Sequence, residues 1–354
     1  MVFKLMKKFV GLALILMLTL LPAAPLEKAG KNLAGNDVQG YKCAVPSGDG
    51  FTPENMSIGD DSFHSNLPLH VETWYFEGIF SNGYSMVFII TLLSSDGNAG
   101  IALEGLYIYS SGHLEIMERK LSFSFNASDE KPLIKISGST VMEGFIDRSG
   151  NLFYNISFES GENGIELHFI NQTEGWQGEM GAGWWLAVPG LHVTGKMKLN
   201  GDEISVEGKG YHDHNIFSLL TPLTERGYAD GKIMHGTTSI VWGYIMHGMR
   251  NADVFAILSE NGSYIAISPG SMEIKFSSYI YDHGRKIPTE VFISINDTKN
   301  AIFAELHVTS IGFHHIRLPF LRYWRYHVRT EGKIRIGECY EEIDEIDIME
   351  RMLY

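Results

Sequence analysis

The chain reads as all-β, and three observations say so. Turn dipeptides recur between short runs of β-branched and aromatic residues: Asn82-Gly83, Asn163-Gly164, Asn200-Gly201 and Asn261-Gly262. Asn-Gly supplies the positive φ values that a two-residue hairpin demands. The segments "LHVTGKMKL" and "EISVEGKGY", which flank Asn200-Gly201, alternate in polarity with a period of two, as a pair of antiparallel strands should. The chain of 354 residues also carries 38 Gly and few amphipathic helical patterns, so a barrel or sandwich architecture is the natural class. "YSMVFIITLL", residues 84 to 93, is too continuously apolar to face solvent and predicts a buried strand. One stretch departs from the pattern. "EEIDEIDIMERML" places Ile343, Ile346, Met349 and Met352 at threefold spacing and predicts a short C-terminal helix.

Composition narrows the class further. An apolar fraction of 44% with 12% aromatics is ample for one or two packed cores. The formal charge of -14 leaves no basic stripe, which argues against nucleic acid as a partner. At the N-terminus Lys4, Lys7 and Lys8 precede an apolar run from Phe9 to Leu21, followed by small residues and Pro25. Residues 1–24 therefore read as a signal peptide, or alternatively as a retained anchor, with a linker over 25–50. Either reading exports the body, to the medium or to the outer face of the cell membrane. Six Asn-X-Ser/Thr sequons, at Asn55, Asn126, Asn155, Asn171, Asn261 and Asn296, agree with a glycosylated surface. The only cysteines, Cys43 and Cys339, form one disulfide in an oxidising compartment or remain two buried thiols.

An internal echo points to two units. "GKGYHD" (Gly208 to Asp213) recurs loosely as "GECYEE" (Gly337 to Glu342), which would make Tyr340 and Glu342 the second-unit counterparts of Tyr211 and Asp213. Trp74 in "TWYFEG" and Trp242 in "SIVWGYIMHG" are candidate opening strands of the two units. The join is placed where "SLLTPLTERGYADGK" loses alternation, dividing the body into 51–222 and 223–354.

"HVETWYFEG" (70 to 78), "GWW" (Gly183 to Trp185), "GLHVTGKMKLNGDEISVEGKGYHDHN" (190 to 215) and the closing "YEE" together resemble the AttH-like, carotenoid 1,2-hydratase family of tandem lipocalin-like proteins. The resemblance implies two lipocalin-like antiparallel barrels in tandem and a hydrophobic small-molecule partner, an isoprenoid or lipid. No cofactor is signalled, since there is no GxGxxG after a strand, no P-loop and no GxSxG elbow. From the family's Tyr-X-Asp motif the resemblance carries over Asp213 as the acid, assisted by Tyr211 and Trp185. Where that family has Trp-Gly after its Asp-His-Asn, this chain has Ile216-Phe217, and where it has a double Trp, this chain has Thr73-Trp74. These departures favour a substrate other than a carotenoid.

Strand parity gives the chemistry its geometry. An extended "YHDHN" puts Tyr211, Asp213 and Asn215 on one face and His212 and His214 on the other. On the earlier strand Glu72, Trp74 and Phe76 share a face. The expectation is an inward Asp213, joined by Glu72 as a second catalytic carboxylate and by Trp74, Phe76, Trp185, Asn215 and Trp242 as pocket residues, with both histidines outward. Protonating an isolated alkene needs a neutral carboxylic acid, so burial must raise the Asp213 pKa toward ambient pH. The alternatives are a lipocalin-like carrier or sensor of the same ligand, and polar residues that only hydrogen-bond a barrel rim. A metal on the two histidines lacks nearby Cys or a spaced Glu-His set, although His192, His235 and His247 could converge with them. "HIRLPFLRYWRYHVR", 315 to 329, reads as a strand with one charged, solvated face.

Overall fold

A computed structural model describes residues 51–354, apart from 66, 68–69, 181–182, 220, 248–251, 261 and 319–320. It is almost entirely antiparallel β-structure in two sheets. The first holds β1 (Glu54–Asn55), β2 (His70–Phe80), β3 (Tyr84–Ser94), β4 (Gly100–Ser110), β5 (His113–Ser122), β6 (Phe125–Ala127) and β7 (Leu133–Ile136). It continues through β8 (Ser139–Ile146), β9 (Leu152–Ser160), β10 (Asn163–Asn171), β11 (Trp176–Met180), β12 (Gly183–Leu199) and β13 (Asp202–Ser218). A one-turn helix, α1 (Thr221–Thr224), precedes the second sheet. That sheet comprises β14 (Gly227–His235), β15 (Thr238–Met246), β16 (Ala252–Glu260), β17 (Ser263–Ala266), β18 (Met272–Asp282), β19 (Arg285–Asp297), β20 (Ile302–Leu318), β21 (Leu321–Ile336) and β22 (Cys339–Leu353).

Each sheet is a meander whose final strand returns to its first: β13 pairs β2, and β22 pairs β14. The first sheet runs β5-β4-β3-β2-β13-β12-β10-β9-β8-β7-β6 and curls into a nearly closed barrel. The second runs β17-β16-β15-β14-β22-β21-β20-β19-β18. The lipocalin-like, all-β architecture expected from the sequence is therefore present.

The helix expected over the C-terminal acidic stretch is instead β22, paired along its length with β21. Threefold spacing and strand alternation coincide poorly here. Ile343, Asp347 and Met349 are buried while Ile346 is exposed, so the threefold set never shared a face. The hairpin signals fare unevenly. Asn200 (φ 50°) and Gly201 (φ 93°) form the expected turn between β12 and β13. Asn163 and Gly164 lie within β10, and the preceding Gly161 (φ 60°) with Glu162 makes the turn. Cys339 is exposed, and Cys43 lies outside the described residues, as does the N-terminal segment. Among the described residues no helix is long and apolar enough to cross a membrane.

Three apolar clusters organise the molecule. One fills the first barrel, with Trp74, Phe76, Phe88, Tyr154 and Phe169 all inaccessible to solvent. A second fills the second sheet's concave side around Trp242 and Trp324. The third lies between the sheets and joins Tyr75, Tyr107, Tyr109, Trp185 and Tyr211 of the first to Ile245, Phe255, Tyr323 and Ile348 of the second. Strands β2 and β13 thus have two dry faces, one toward their own barrel and one toward the other sheet. At Gly231 a Cβ would sit 2.7 Å from the Trp242 indole, so the strand backbone and that ring are in direct contact. Gly231→Ala is expected to lower stability by about 1–3 kcal/mol through overpacking, read as a fall in the urea midpoint.

Candidate functional site

The parity split of "YHDHN" is present, with its two faces exchanged relative to expectation. His212 and His214 point into the first barrel. His212 stacks on Phe76 with centroids 4.1 Å apart, and His214 on Trp74 at 4.2 Å. Tyr211, Asp213 and Asn215 point to the space between the sheets. The reason lies in the double burial of β13. Period two fixes which residues share a face, but both faces are dry, so apolar neighbours cannot tell the barrel interior from the inter-sheet layer.

The expected residues accordingly fall into separate places. Asp213, Tyr211, Asn215 and Trp185 come together between the sheets, since Trp185 stands opposite Asn215 and Ala187 opposite Asp213 in the β12–β13 register. Glu72, Trp74 and Phe76 share the barrel interior with the histidines, so Glu72 is not a partner of Asp213. Trp74 and Phe76 are core side chains rather than pocket walls. Trp242 is core of the second sheet. Tyr340, 57% exposed, and the exposed Glu342 lie near the β21–β22 turn, far along the strand from the inter-sheet layer. The counterpart of Asp213 is a different residue. Asp213 is the twelfth residue of β13 and Glu350 the twelfth of β22, each strand following a two-residue turn, and both carboxyls are buried between the sheets. Tyr340 and Glu342 of the sequence echo stand at a different register from this pair.

Around Asp213 the two sheets exchange charges that the sequence reading missed. Lys232 Nζ donates to Glu77 Oε2 at 2.9 Å, and Tyr75 Oη donates to the same oxygen at 2.9 Å. Lys232 also sits over the rings of Tyr211 (4.6 Å) and Tyr75 (4.8 Å). Arg325 donates through Nε to Glu350 Oε1 at 2.8 Å, through Nη1 to Tyr109 Oη at 3.1 Å and through Nη2 to Tyr323 Oη at 3.0 Å. Arg325 is wholly buried, which corrects the solvated-face reading of residues 315 to 329. His327 Nε2 and Ser85 Oγ form a further bond across the layer at 2.7 Å. A signal was present: Tyr323, Arg325 and His327 share one face of β21, and no small polar residue separates them to suggest solvent.

Burial dominates the protonation of this layer. It pushes the Asp213 carboxyl up to about 7, against the attraction of Lys232 and His212 and with added repulsion from Glu350. Asn215 Nδ2 donates to Asp213 Oδ1 at 2.6 Å, and the Tyr211 hydroxyl lies buried beside the same carboxyl. Burial opposes ionisation of Glu350 as well, yet Arg325 and Lys232 overcome it and hold Glu350 below its usual range. Two register-related carboxyls are thereby set to opposite states, one neutral and one ionised, which is the arrangement that assigns acid and counter-ion.

The barrel face of the same strand carries a second polar cluster. His212 spans the Tyr75 carbonyl at 2.9 Å and Asp61 Oδ2 at 3.0 Å. His214 lies between Asp61 Oδ1 (3.1 Å) and Glu72 Oε1 (2.9 Å). His64 Nδ1 is 2.9 Å from the same Glu72 oxygen, and His70 Nε2 is 3.7 Å from the other. Burial alone would lower the His214 pKa, but the Asp61 and Glu72 carboxylates raise it to about 9. His64, Glu72 and His214 offer three ligand atoms within 4.8 Å of one another, the group that could hold a metal among the described residues. An open cleft of about 410 Å³ lies at the edge of the inter-sheet layer, lined by His192, Glu207, Lys209, Met234 and Glu345, and Asp213 is not among its walls.

Fold and layer together define a tandem lipocalin-like protein with a charged inter-sheet seam. Solved structures share this fold. A candidate AttH from Nitrosomonas europaea superposes with a TM-score of 0.61 at 13% identity, over 87% of this chain and 98% of that one. Kievitone hydratase from Nectria haematococca gives 0.56 at 9% identity, over 88% and 97%. CghA with Sch210972 gives 0.51 at 9% identity, over 81% and 88%. The resemblance read from the sequence motifs thus holds at the level of fold. No family model and no curated protein sequence matches the chain.

The raised Asp213 pKa has a consequence for stability. In the unfolded chain an Asp ionises near 3.9, whereas the folded carboxyl keeps its proton to about 7. Between those values the folded state holds the extra proton, so this group's effect is to lower stability as pH rises from about 4 to 7, and the loss persists above 7. Asp213→Asn is expected to remove that contribution. Its stability relative to wild type should improve by on the order of 2–4 kcal/mol between pH 4 and pH 8, measured by urea unfolding across the range. A difference that does not change with pH would contradict a neutral Asp213.

Proposed function

We propose that the protein is a cofactor-independent enzyme of the hydratase or cyclase type, acting on a hydrophobic isoprenoid- or lipid-like alkene by proton transfer from Asp213. The single observation that carries this reading is a carboxyl buried among aromatic rings with its pKa near 7. The reading draws further support from a fold shared with a protein described as a hydratase. The departure Ile216 faces the barrel with His214, while Phe217 stacks on Tyr228 toward the seam at 6.5 Å. The loss of the family's Trp at that position therefore leaves the Asp213 face untouched.

Chemically, the alkene π pair takes the Asp213 proton at one carbon, leaving a carbocation at the other and a carboxylate on Asp213. Lys232, which already attracts that carboxylate, stabilises the charge left behind. The faces of Tyr75, Tyr211 and Trp185 stabilise the cation, by about 2 kcal/mol each when dry. Water then adds to the cation and its proton returns to Asp213, or an internal nucleophile closes a ring. Asp213 faces the seam and not the barrel interior, so the seam, whose packed side chains must part to admit it, is where we place the substrate. We further take residues 1–24 as a leader, which would bring the enzyme to its substrate outside the cell or at the membrane surface.

The test is turnover of a panel of isoprenoid and fatty alkenes in heavy-oxygen water, read by mass spectrometry for label in the product. Wild type should incorporate label, or yield an isomeric cyclised product. Asp213→Asn should lose about 10²–10⁴-fold in rate while still binding the same alkene. Undiminished turnover by that variant would remove Asp213 from the mechanism.

A further inference from the structure

The polar cluster inside the first barrel poses a problem of donors and acceptors. The carbonyl of Leu67 can only accept, so His70 Nδ1, 2.8 Å away, must donate to it. In a neutral imidazole this leaves a lone pair on Nε2. That atom is buried, has no hydrogen-bond partner, and lies 3.7 Å from Glu72 Oε2, which is equally buried and unpartnered. His214 lies between two carboxylates, with Nδ1 3.1 Å from Asp61 and Nε2 2.9 Å from Glu72 Oε1, so a proton or a metal ion belongs at its Glu72 end. His64 Nδ1 reaches the same oxygen at 2.9 Å. Two imidazole nitrogens, of His64 and His214, therefore converge on one Glu72 oxygen, within 4.8 Å of one another, while His70 Nε2 faces the other oxygen. Two of the imidazoles are oriented by acceptors on their outer nitrogens. Lone pair facing carboxylate is repulsive unless a positive charge lies between them.

We propose that His64, Glu72 and His214 bind a first-row divalent metal ion of the zinc class. Two imidazoles and one carboxylate are an established protein donor set for zinc. Metal–nitrogen bonds near 2.0–2.1 Å imply ligand atoms about 3.3 Å apart in a tetrahedron, within the span of this cluster. Asp61 behind His214 supplies the outer hydrogen bond that fixes the ring orientation of metal-bound histidine. His64 forms the solvent-facing side of the site: its side chain is 33% exposed and its ring lies 4.8 Å from that of Trp184. The ion ties the segment that precedes β2 to β2 and β13. It faces the barrel interior, on the opposite side of β13 from Asp213, and the assignment does not depend on the alkene reading.

The full chain, purified without a histidine tag and stripped with chelator, should take up about one Zn²⁺, by calorimetry and elemental analysis, and melt at a higher temperature with the ion. Co²⁺ in its place should show the visible absorption of a tetrahedral site. Asp61→Asn should weaken Zn²⁺ binding by about 10–100-fold, and His64→Ala by more, with the cobalt band lost. His64 is partly exposed, so its variant should fold, which circular dichroism verifies. Absence of uptake by the stripped wild-type chain would overturn the proposal. So would uptake that His64→Ala leaves unchanged.

Discussion

Where β2 and β13 run side by side over Tyr211 to Asn215 they are walled in on both sides, by their own barrel core and by the second sheet, and the buried polar side chains there must find protein partners. That constraint organises the rest. On the barrel side the demand is met by Asp61, Glu72 and a ring of histidines. On the seam side it is met by Lys232 of the other sheet for Glu77 and by Asn215 of the same strand for Asp213. One pair of strands therefore separates two chemically different clusters. The alternation of a single pentapeptide, Tyr211 to Asn215, decides which residue serves which.

The seam is also where the two sheets reveal their common plan. Glu77 and Lys232 occupy related positions on the first strands of their meanders and bond to each other. Asp213 and Glu350 occupy related positions on the closing strands. A repeat would place like charges at like positions and face them together. Here one member of the first pair is basic, and one member of the second is neutralised by burial, so the repulsion of four carboxyls is avoided. The same substitutions that let the halves pack create a neutral acid beside an ionised one.

Much of the fold was legible in the residues, because alternation and tight turns act locally. The hairpin at Asn200-Gly201, the buried strand over 84 to 93 and the all-β class follow from such local rules. Asn163-Gly164 misled because an Asn-Gly pair can also open a strand when Gly161 has already made the turn. The C-terminal stretch misled because Ile343, Ile346 and Met349 have a helical spacing, whereas Ile343, Asp347 and Met349 share the buried strand face, and only pairing with β21 settles it. For the site, the set of residues sharing a face was readable, whereas the direction of that face was not. Which side of a strand is "inside" is a tertiary fact when both sides are dry. Lys232 and Arg325 escaped for a related reason: a lone charge in a strand reads as solvated until its partner arrives from far along the sequence.

The pairing of β14 and β22 has a temporal side. The first meander is complete at Ser218, but Asp213 and Glu77 then still face water, ionised and unaccompanied. Lys232 follows on the next strand, while Arg325 and Glu350 arrive only with β21 and β22. An emerging polypeptide would therefore carry an ordinary aspartate until the second sheet is made, and would acquire an unusual one only when the β21–β22 hairpin zips into place.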